Sequence, residues 1–390
     1  MGVKTADAVI IGAGVIGSSI AFRLAEQGRK VVLVDKAGPG AGASGSCDKA
    51  IFLQSKRPGL HMELALASRR LYDTLEAELD ADLELKNDGG MVAIETPEHL
   101  DFMRDFVRKQ QDAGISVELL EGDEARTRQP CLSPHVLGAS FSPDDAEVNP
   151  LALNTALFRA AVRHGAETLT HCEVTGIRAS AGRVTAVETR RGSISTPLVV
   201  NAAGPFAGQI GQLAAVHVPI KPRRGTILIS EAVGPMVNGS MLCAQYIAAK
   251  HLAAVGPGKV PLYGIGLSLG QTDSGNLLIG GSREFAGFDK AGGPDIMAAI
   301  AQHAIRIVPA LANIRIIRSM SGFRPYTGDG LPIIDRAPGL DGYVIAAGHE
   351  GDGIALAPIT GILVRDLLDG EASPFLHALT VNRFTAPIPA

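Results

Sequence analysis

The sequence predicts a mixed α/β and α+β fold: a parallel-sheet unit drawn from both ends of the chain, with a β-rich stretch inserted between them. Three observations predict it. Residues 7–34 read strand, glycine turn, helix, strand. Residues 332–368 read as strands followed by a closing helix. Between 216 and 281, apolar runs alternate with turn residues in the manner of hairpins. The 390 residues suffice for about two to three domains. Glycine, at 46 positions, is about 12% of the chain against a typical ~7%, so many positions require unusual torsions or close backbone approach.

The N-terminal unit is the most informative. Residues 7–11 form an apolar run too short for a helix and read as a buried parallel strand. Gly12-Ala-Gly14-Val15-Ile16-Gly17 follows, then a helical pattern over 18–28 and a second strand over 30–34 that ends at Asp35. Asp35 stands 23 positions after Gly12, close to the ~20 that separate phosphate-binding glycines from a ribose-binding acid. Gly12 permits the tight turn, Gly14 lets a pyrophosphate approach the backbone, and Gly17 lets helix and strand pack closely. The helix N-terminus turns unpaired N–H groups toward the phosphate. The complete order of strand, glycines, helix, strand and acid separates a dinucleotide site from an ordinary glycine turn. It leaves NAD and FAD both open.

The remaining elements follow in order. A glycine-dense loop spans 38–45. Helices are expected at 60–79, with one apolar face, and at 99–113. A strand with a Gly89-Gly90 break spans 83–94 and another spans 139–141. Asn149 and Pro150 are a good N-cap and first residue for a helix over 151–164. Strands are expected at 168–170, 173–179 and 184–189, the last two joined by a turn at 181–183, and a buried strand at 197–204 ends in glycine. The β-rich stretch comprises 220–230, 240–250, 262–269 and 277–281, with a turn at 271–276. A helix over 296–308, strands at 314–323, 332–335 and 342–347, and a helix over 353–368 complete the chain.

Composition excludes several classes. A net charge of −4 with both signs interspersed gives no electrostatic footprint for nucleic acid. Cys47, Cys131, Cys172 and Cys243 are spaced too widely for CxxC or a zinc ribbon, so no metal site is expected and a reducing compartment is. The apolar residues 8–20 are cut by three glycines and lack a small-residue cleavage site, unlike a secretion signal. No stretch approaches ~20 uninterrupted apolar residues, so no membrane span is expected, and the expected location is the cytoplasm.

Further motifs occur in a fixed order after the opening fingerprint: Gly42-Ala43-Ser44-Gly45, Val148-Asn-Pro150, Val199-Val-Asn-Ala-Ala203-Gly204, Gly322-Phe-Arg324-Pro325 with Gly328-Asp-Gly330, and Ala347-Gly348-His349-Glu350-Gly351-Asp352-Gly353. With them the chain resembles the glycine/D-amino-acid oxidase family of FAD-dependent amine oxidoreductases over essentially its whole length. Residues 46–59 are most similar to the FAD-bearing subunits of D-hydroxyproline dehydrogenases, opine oxidases and cyanide-forming glycine dehydrogenases. The resemblance implies a Rossmann-like FAD-binding domain from residues 1–82, 145–215 and 320–390. It implies a discontinuous antiparallel-sheet substrate domain from 83–144 and 216–319. The implied reaction oxidises the Cα–N bond of a small amino acid by hydride transfer to flavin N5, giving an imine. D-amino acids or secondary amines such as D-proline, D-hydroxyproline, sarcosine or an N-substituted amino acid are the expected substrates. The alternatives are a glycine oxidase using oxygen, or a flavin-binding subunit that needs partner subunits for electron transfer.

Such chemistry asks the protein for binding, orientation and electrostatics. Arg324 is the candidate carboxylate clamp: a guanidinium fork binds a carboxylate bidentately, and the resemblance puts this arginine at the family's carboxylate site. Residues 348–354 lead into a helix whose N-terminus suits an anionic reduced flavin. His349 is a candidate to touch the flavin, with core packing as its alternative. Tyr246 and Tyr326 are candidate pocket hydroxyls, with core or rim positions as the alternative. The expected cofactor contacts are Gly12, Gly14, Val15, Ile16, Gly17, Asp35, Lys36, Ala43, Ser44, Gly45, Lys49, Val174, Ala203, Gly204, Arg324, Gly348, His349, Gly351, Gly353 and Ile354. Glu350 and Asp352 depart from the glycine oxidase pattern. A nearby acid opposes flavin reduction, so either both point outward or Glu350 contacts a substrate amine. Cys47 is not expected to bond covalently to flavin, Gln271 is a pocket amide or simply part of its hairpin, and no general base is required.

Overall fold

In a computed structural model, residues 4–251 and 262–384 are described. The parts of the expected domain segments at 1–3, 252–261 and 385–390 lie outside them. Strand Ala8–Ile11 is the centre of a six-stranded sheet. The order across this sheet is Ile333–Arg336, Tyr343–Ala347, Val199–Asn201, Ala8–Ile11, Val31–Val34 and Glu167–Leu169. All neighbours are parallel except Ile333–Arg336, which runs against Tyr343–Ala347. The two chain ends therefore meet in one sheet, as the βαβ patterns at both ends predict.

Side-chain alternation explains why these strands are continuously apolar. Ala8 and Ile10 enter a core shared with helices Val15–Glu26, Pro150–Arg163 and Gly353–Asp369, the first of which packs on each of the other two. Val9 and Ile11 enter a second core with Val184, Val187 and Ile194. Those residues belong to a four-stranded sheet formed by Lys4–Thr5, Gly192–Ser195, Arg183–Thr189 and Val174–Ser180.

The inserted stretches build an eight-stranded sheet. Its order is Ile316–Tyr326, Lys221–Ala232, Asn276–Gly280, Ser268–Gln271, Ser240–Cys243, Gly90–Ile94, Gly138–Ser142 and Glu118–Glu121. It is antiparallel except where Ser240–Cys243 runs parallel to Gly90–Ile94. Helix Pro294–Ile307 contributes Ile296, Ile300 and Ala304 to the core on this sheet. The edge pair fixes the site: Arg223 lies opposite Arg324, and Gly225 opposite Gly322. Strand Ile316–Tyr326, which spans the boundary expected at 320, belongs wholly to this sheet.

Local signals account for several elements. Asn149 Oδ1 accepts from the Leu151 and Ala152 amides at 3.0 and 3.2 Å, capping helix Pro150–Arg163. Helix Leu60–Leu79 has the bounds its apolar periodicity predicts. Two expectations are corrected. Residues 240–250 are not one strand: Ser240–Cys243 pairs in the sheet, and Ala244–His251 is a helix, its alanines favouring that state. Residues 262–269 divide into the 3₁₀ turn Leu262–Gly264 and the start of strand Ser268–Gln271. Helix Gly122–Arg128, with its Glu121/Glu124 capping box, and strand Gly192–Ser195 were not anticipated.

Candidate active site

The carboxyl ends of four parallel strands face the edge pair of the eight-stranded sheet across a cavity of about 510 Å³. Open α/β sheets bind ligands at such strand ends. Ile11, Val34, Ala202 and Ala347 contribute from the strand ends, and Gly225, Gly322 and Arg324 from the edge pair.

At one end, the sterics of the opening glycines are explicit. Gly12 has φ +109°, and a Cβ there would lie 2.5 Å from the Ala202 carbonyl oxygen. A Cβ on Gly17 would lie 1.8 Å from the Gly12 carbonyl oxygen, so Gly17 supports the turn without lining the cavity. Helix Val15–Glu26 has Gly14 as its N-cap and no side-chain cap, and Gly14, Val15 and Ile16 line the cavity. Its first turn is therefore available to an anion. Ser44 Oγ accepts from the Val15 amide at 3.0 Å, tying the second glycine loop to this turn. Asp35 accepts from the Ala13 and Ala37 amides at 2.8 and 2.7 Å, which fixes its carboxylate at the wall with lone pairs to spare for a ribose. Lys36 lies 3.5 Å from the Phe206 ring centroid, and both residues line the cavity with Ala43, Ser44, Val174, Ala203 and Gly204. Gly45 packs beneath: a Cβ there would lie 2.3 Å from the Gly40 carbonyl oxygen.

At the other end, His349, Gly351, Gly353 and Ile354 line the cavity and lead into helix Gly353–Asp369. Gly348 holds the turn at φ +91° from just outside the wall. The Thr360 hydroxyl donates to the Leu356 carbonyl at 2.7 Å, so at 3.0 Å it accepts from His349 Nε2–H. Burial drives the His349 pKa down to about 3 despite the charge of Asp352, and the ring is neutral.

The two acids of this turn do not point outward. Asp352 is buried against Lys56 at 2.7 Å and His61 at 3.1 Å. Glu350 is buried in an ion pair with Arg223. Each carboxylate thus has a cation beside it, which offsets the repulsion an isolated acid exerts on a gain of negative charge.

Arg324 reaches the wall from the edge strand, and its Nη1 donates to the Ser282 carbonyl at 3.0 Å. Among the described residues it has no carboxylate partner. Gly225 makes room for it: a Cβ there would lie 2.2 Å from Arg324 Nη1. A Cβ on Gly351 would lie 3.7 Å from Arg324 Cδ, so this side chain sits against the turn that opens the last helix. Tyr246, from helix Ala244–His251, is a further wall. Burial raises its phenol pKa, so the hydroxyl stays protonated and able to donate.

Three expected residues stand elsewhere. Tyr326 is not on the wall; it packs edge-on to Phe285, with ring centroids 5.0 Å apart, and Arg223 lies over it. Lys49 is buried in an ion pair with Glu147 at 2.8 Å and donates to the Gln271 carbonyl. It lines a separate cavity of about 230 Å³ beyond the loop of Ser44 and Cys47. Gln271 braces its own hairpin, donating to the Gly275 carbonyl at 3.2 Å, and also accepts from the Met236 amide at 2.8 Å. The Cys47 thiol lines the main cavity, but burial and then Asp48 push its pKa up, which leaves little thiolate for a covalent link.

Sequence reading missed Asp48, Arg223, Gly225 and Asn154. Asp48 lines the cavity, with Ser268 donating to its Oδ2 at 2.6 Å. Asn154 is buried and donates to the Ala13 carbonyl, bracing the glycine turn from a helix far along the chain. Period-2 alternation did carry a signal: Arg223 and Gly225 share one face of their strand.

The glycine cradle, the helix N-terminus, the fixed acid and the cavity of about 510 Å³ fit FAD, and the fold and site together define a flavin-dependent oxidoreductase. The chain belongs to the FAD dependent oxidoreductase (DAO) family, whose model matches residues 7–367. It is 29% identical to hydrogen cyanide synthase subunit HcnC of Pseudomonas aeruginosa, covering 95% of this chain and 94% of that one. It is 28% identical to an opine oxidase subunit of Agrobacterium tumefaciens, covering 97% and 98%. The crystal structure of glycine oxidase from Geobacillus kaustophilus superposes with a TM-score of 0.88 at 28% identity, covering 98% of this chain and 100% of that one. Among the described residues no His/Cys/Asp/Glu group could hold a metal, and no helix is long and apolar enough to cross a membrane.

Proposed function

We propose that this enzyme is cytoplasmic and oxidises the Cα–N bond of a small D-amino or secondary amino acid whose carboxylate binds Arg324. The observation that carries the reading is Arg324 itself: a guanidinium on the cavity wall, without a carboxylate partner among the described residues, packed against the 349–353 turn. FAD, when bound, supplies the chemistry of accepting the Cα hydrogen with its electron pair. The chain's own residues do the rest. Arg324 fixes the carboxylate in position and rotation through a two-point fork. Tyr246 offers its hydroxyl at the same wall. Asp48 Oδ1 is available to accept from the substrate N–H, since the Ser268 hydroxyl occupies Oδ2. Neutral His349 adds no positive charge that would repel a protonated amine. The substrate reacts as the neutral amine, so no protein group has to remove a proton from Cα.

The decisive experiment is anaerobic bleaching of the flavin band near ~450 nm with a panel of D-, L- and N-alkyl amino acids. One or more of the named substrates should bleach the wild type. Arg324→Ala should raise the concentration needed by roughly 10- to 150-fold, the value of a charge-assisted carboxylate contact. An Arg324→Ala protein that bleaches at unchanged concentration refutes the clamp. A second reading is supported by the HcnC and opine oxidase relatives, each of which is by name one subunit of its enzyme. Here the chain delivers electrons to partner subunits and is silent alone, and a purified protein that holds FAD yet bleaches with no amine favours it.

A further inference from the structure

A buried charge stands behind the ring of Tyr246. Arg283 lies just beyond strand Asn276–Gly280, and its Nε, Nη1 and Nη2 are buried with no hydrogen-bond partner. Its guanidinium carbon is 3.6 Å from the centroid of the Tyr246 ring, and Tyr246 lines the cavity. Two glycines clear the space for this stack. A Cβ on Gly264, which has φ +58°, would lie 3.0 Å from Arg283 Cβ, and one on Gly266 would lie 2.9 Å from Tyr246 Cβ. The Arg283 amide donates to the Tyr263 carbonyl at 2.9 Å, and the carbonyl of the preceding residue, Ser282, accepts from Arg324 Nη1 at 3.0 Å. One short stretch of backbone therefore carries Arg283 to the back of Tyr246 and steadies Arg324 on the wall.

Among the described residues no acid pairs with Arg283. Glu284, its neighbour in sequence, is turned to Arg224, and Glu350 is paired with Arg223. Other buried cations keep an acid close: Lys49 has Glu147 at 2.8 Å and Lys56 has Asp352 at 2.7 Å. The Tyr246 ring attracts the Arg283 charge from one face but supplies no in-plane acceptor for its five N–H donors. A buried charge without a partner is costly, and a packed apolar side chain of similar volume removes that cost. The return for keeping the charge therefore lies at the cavity rather than in the stability of the fold. A cation against a phenol ring favours loss of the phenolic proton and so strengthens the hydroxyl as a donor. Burial raises the Tyr246 pKa, and the charges of Arg283 and then Arg324 oppose the rise.

We propose, resting on the amino-acid reading above, that Arg283 is a positioning residue: it holds the Tyr246 ring at the wall and strengthens its hydroxyl as a donor to the carboxylate gripped by Arg324. Arg283 touches no ligand atom and acts through Tyr246 alone. The probe is (methylthio)acetate, a redox-inert monocarboxylate with sulfur in place of the reacting nitrogen. Perturbation of the flavin spectrum of the FAD-loaded protein gives its dissociation constant. Tyr246→Phe should weaken binding by roughly tenfold or more, the value of a hydrogen bond to a charged group. Arg283→Met should weaken it by roughly 3- to 30-fold, the range of a desolvated cation–π contact, and Arg283→Lys, which keeps the charge, should recover part of the loss. The double variant should bind within about twofold of Tyr246→Phe alone, since the arginine has nothing to act on once the hydroxyl is gone. Urea unfolding of FAD-saturated Arg283→Met should show a midpoint no lower than that of the wild type, because the variant removes an unpaired buried charge. Losses that multiply in the double variant overturn the proposal, as does an Arg283→Met protein that binds the probe as tightly as the wild type. An Arg283→Met protein that fails to fold, or unfolds at lower urea, overturns it too, the arginine then serving the fold. A probe that leaves the wild-type flavin unperturbed refutes the amino-acid reading itself, and the proposal with it.

Discussion

His349 gives a prediction whose magnitude follows from its environment. The ring is 2% exposed and donates from Nε2 to Thr360, and burial holds its pKa at about 3 against an ordinary 6.5. The unfolded chain therefore binds a proton below 6.5, while the folded chain binds none until about 3. More protons bound in the unfolded state means that stability rises with pH. The contribution of the neutral ring is complete above 6.5 and is lost as pH falls toward 3. At about pH 5 the loss is roughly 2 kcal/mol, from 1.36 kcal/mol for each of about 1.5 pH units below the unfolded pKa. His349→Gln keeps a donor for Thr360 and removes the titration. Urea unfolding of the FAD-saturated wild type and variant, at about pH 7.5 and about pH 5, measures the double difference and cancels titrations common to both. The variant should lose about 2 kcal/mol less than the wild type over this interval. Parallel losses would refute a neutral, desolvated ring. His303, which burial holds at about 4, titrates in both proteins and drops out of the comparison.

Two further perturbations test the frame around the site. Gly17→Ala places a Cβ 1.8 Å from the Gly12 carbonyl oxygen, so the turn must open. FAD content, read from flavin absorbance per chain, should fall at least tenfold, and a variant with full FAD would show that the close approach is dispensable. Lys56→Met leaves the buried Asp352 carboxylate without its ammonium, which stands at 2.7 Å. Unfolding free energy should drop by about 3–5 kcal/mol, and adding Asp352→Asn should recover most of it, whereas a double variant no better than the single would refute the pairing.

The contrast between the two ends of the cavity shows what each level of organisation decides. The Gly12–Gly17 turn and Asp35 were readable because a strand, a tight turn, a helix and a second strand are consecutive, and their steric demands fall on residues near in sequence. Arg324 and the 347–353 turn were readable as residue patterns, and Asn149 as a cap with a local partner. Which charges face one another was not legible. Asp352 with Lys56, Glu350 with Arg223, and Lys49 with Glu147 join residues roughly a hundred to three hundred positions apart. Which of the two alternatives for Tyr326 holds was not legible for the same reason: strand alternation gives its face, but the position of the wall depends on how two sheets meet.

By itself the sequence determined the cofactor class, the parallel sheet shared by both chain ends, and an arginine, Arg324, that stands on the cavity wall. Those rest on backbone geometry and on short-range spacing. Tertiary structure alone decided that two acids beside the site are neutralised and that Lys49 belongs to another cavity. Electrostatic free energy depends on distance and burial in space, and sequence separation fixes neither.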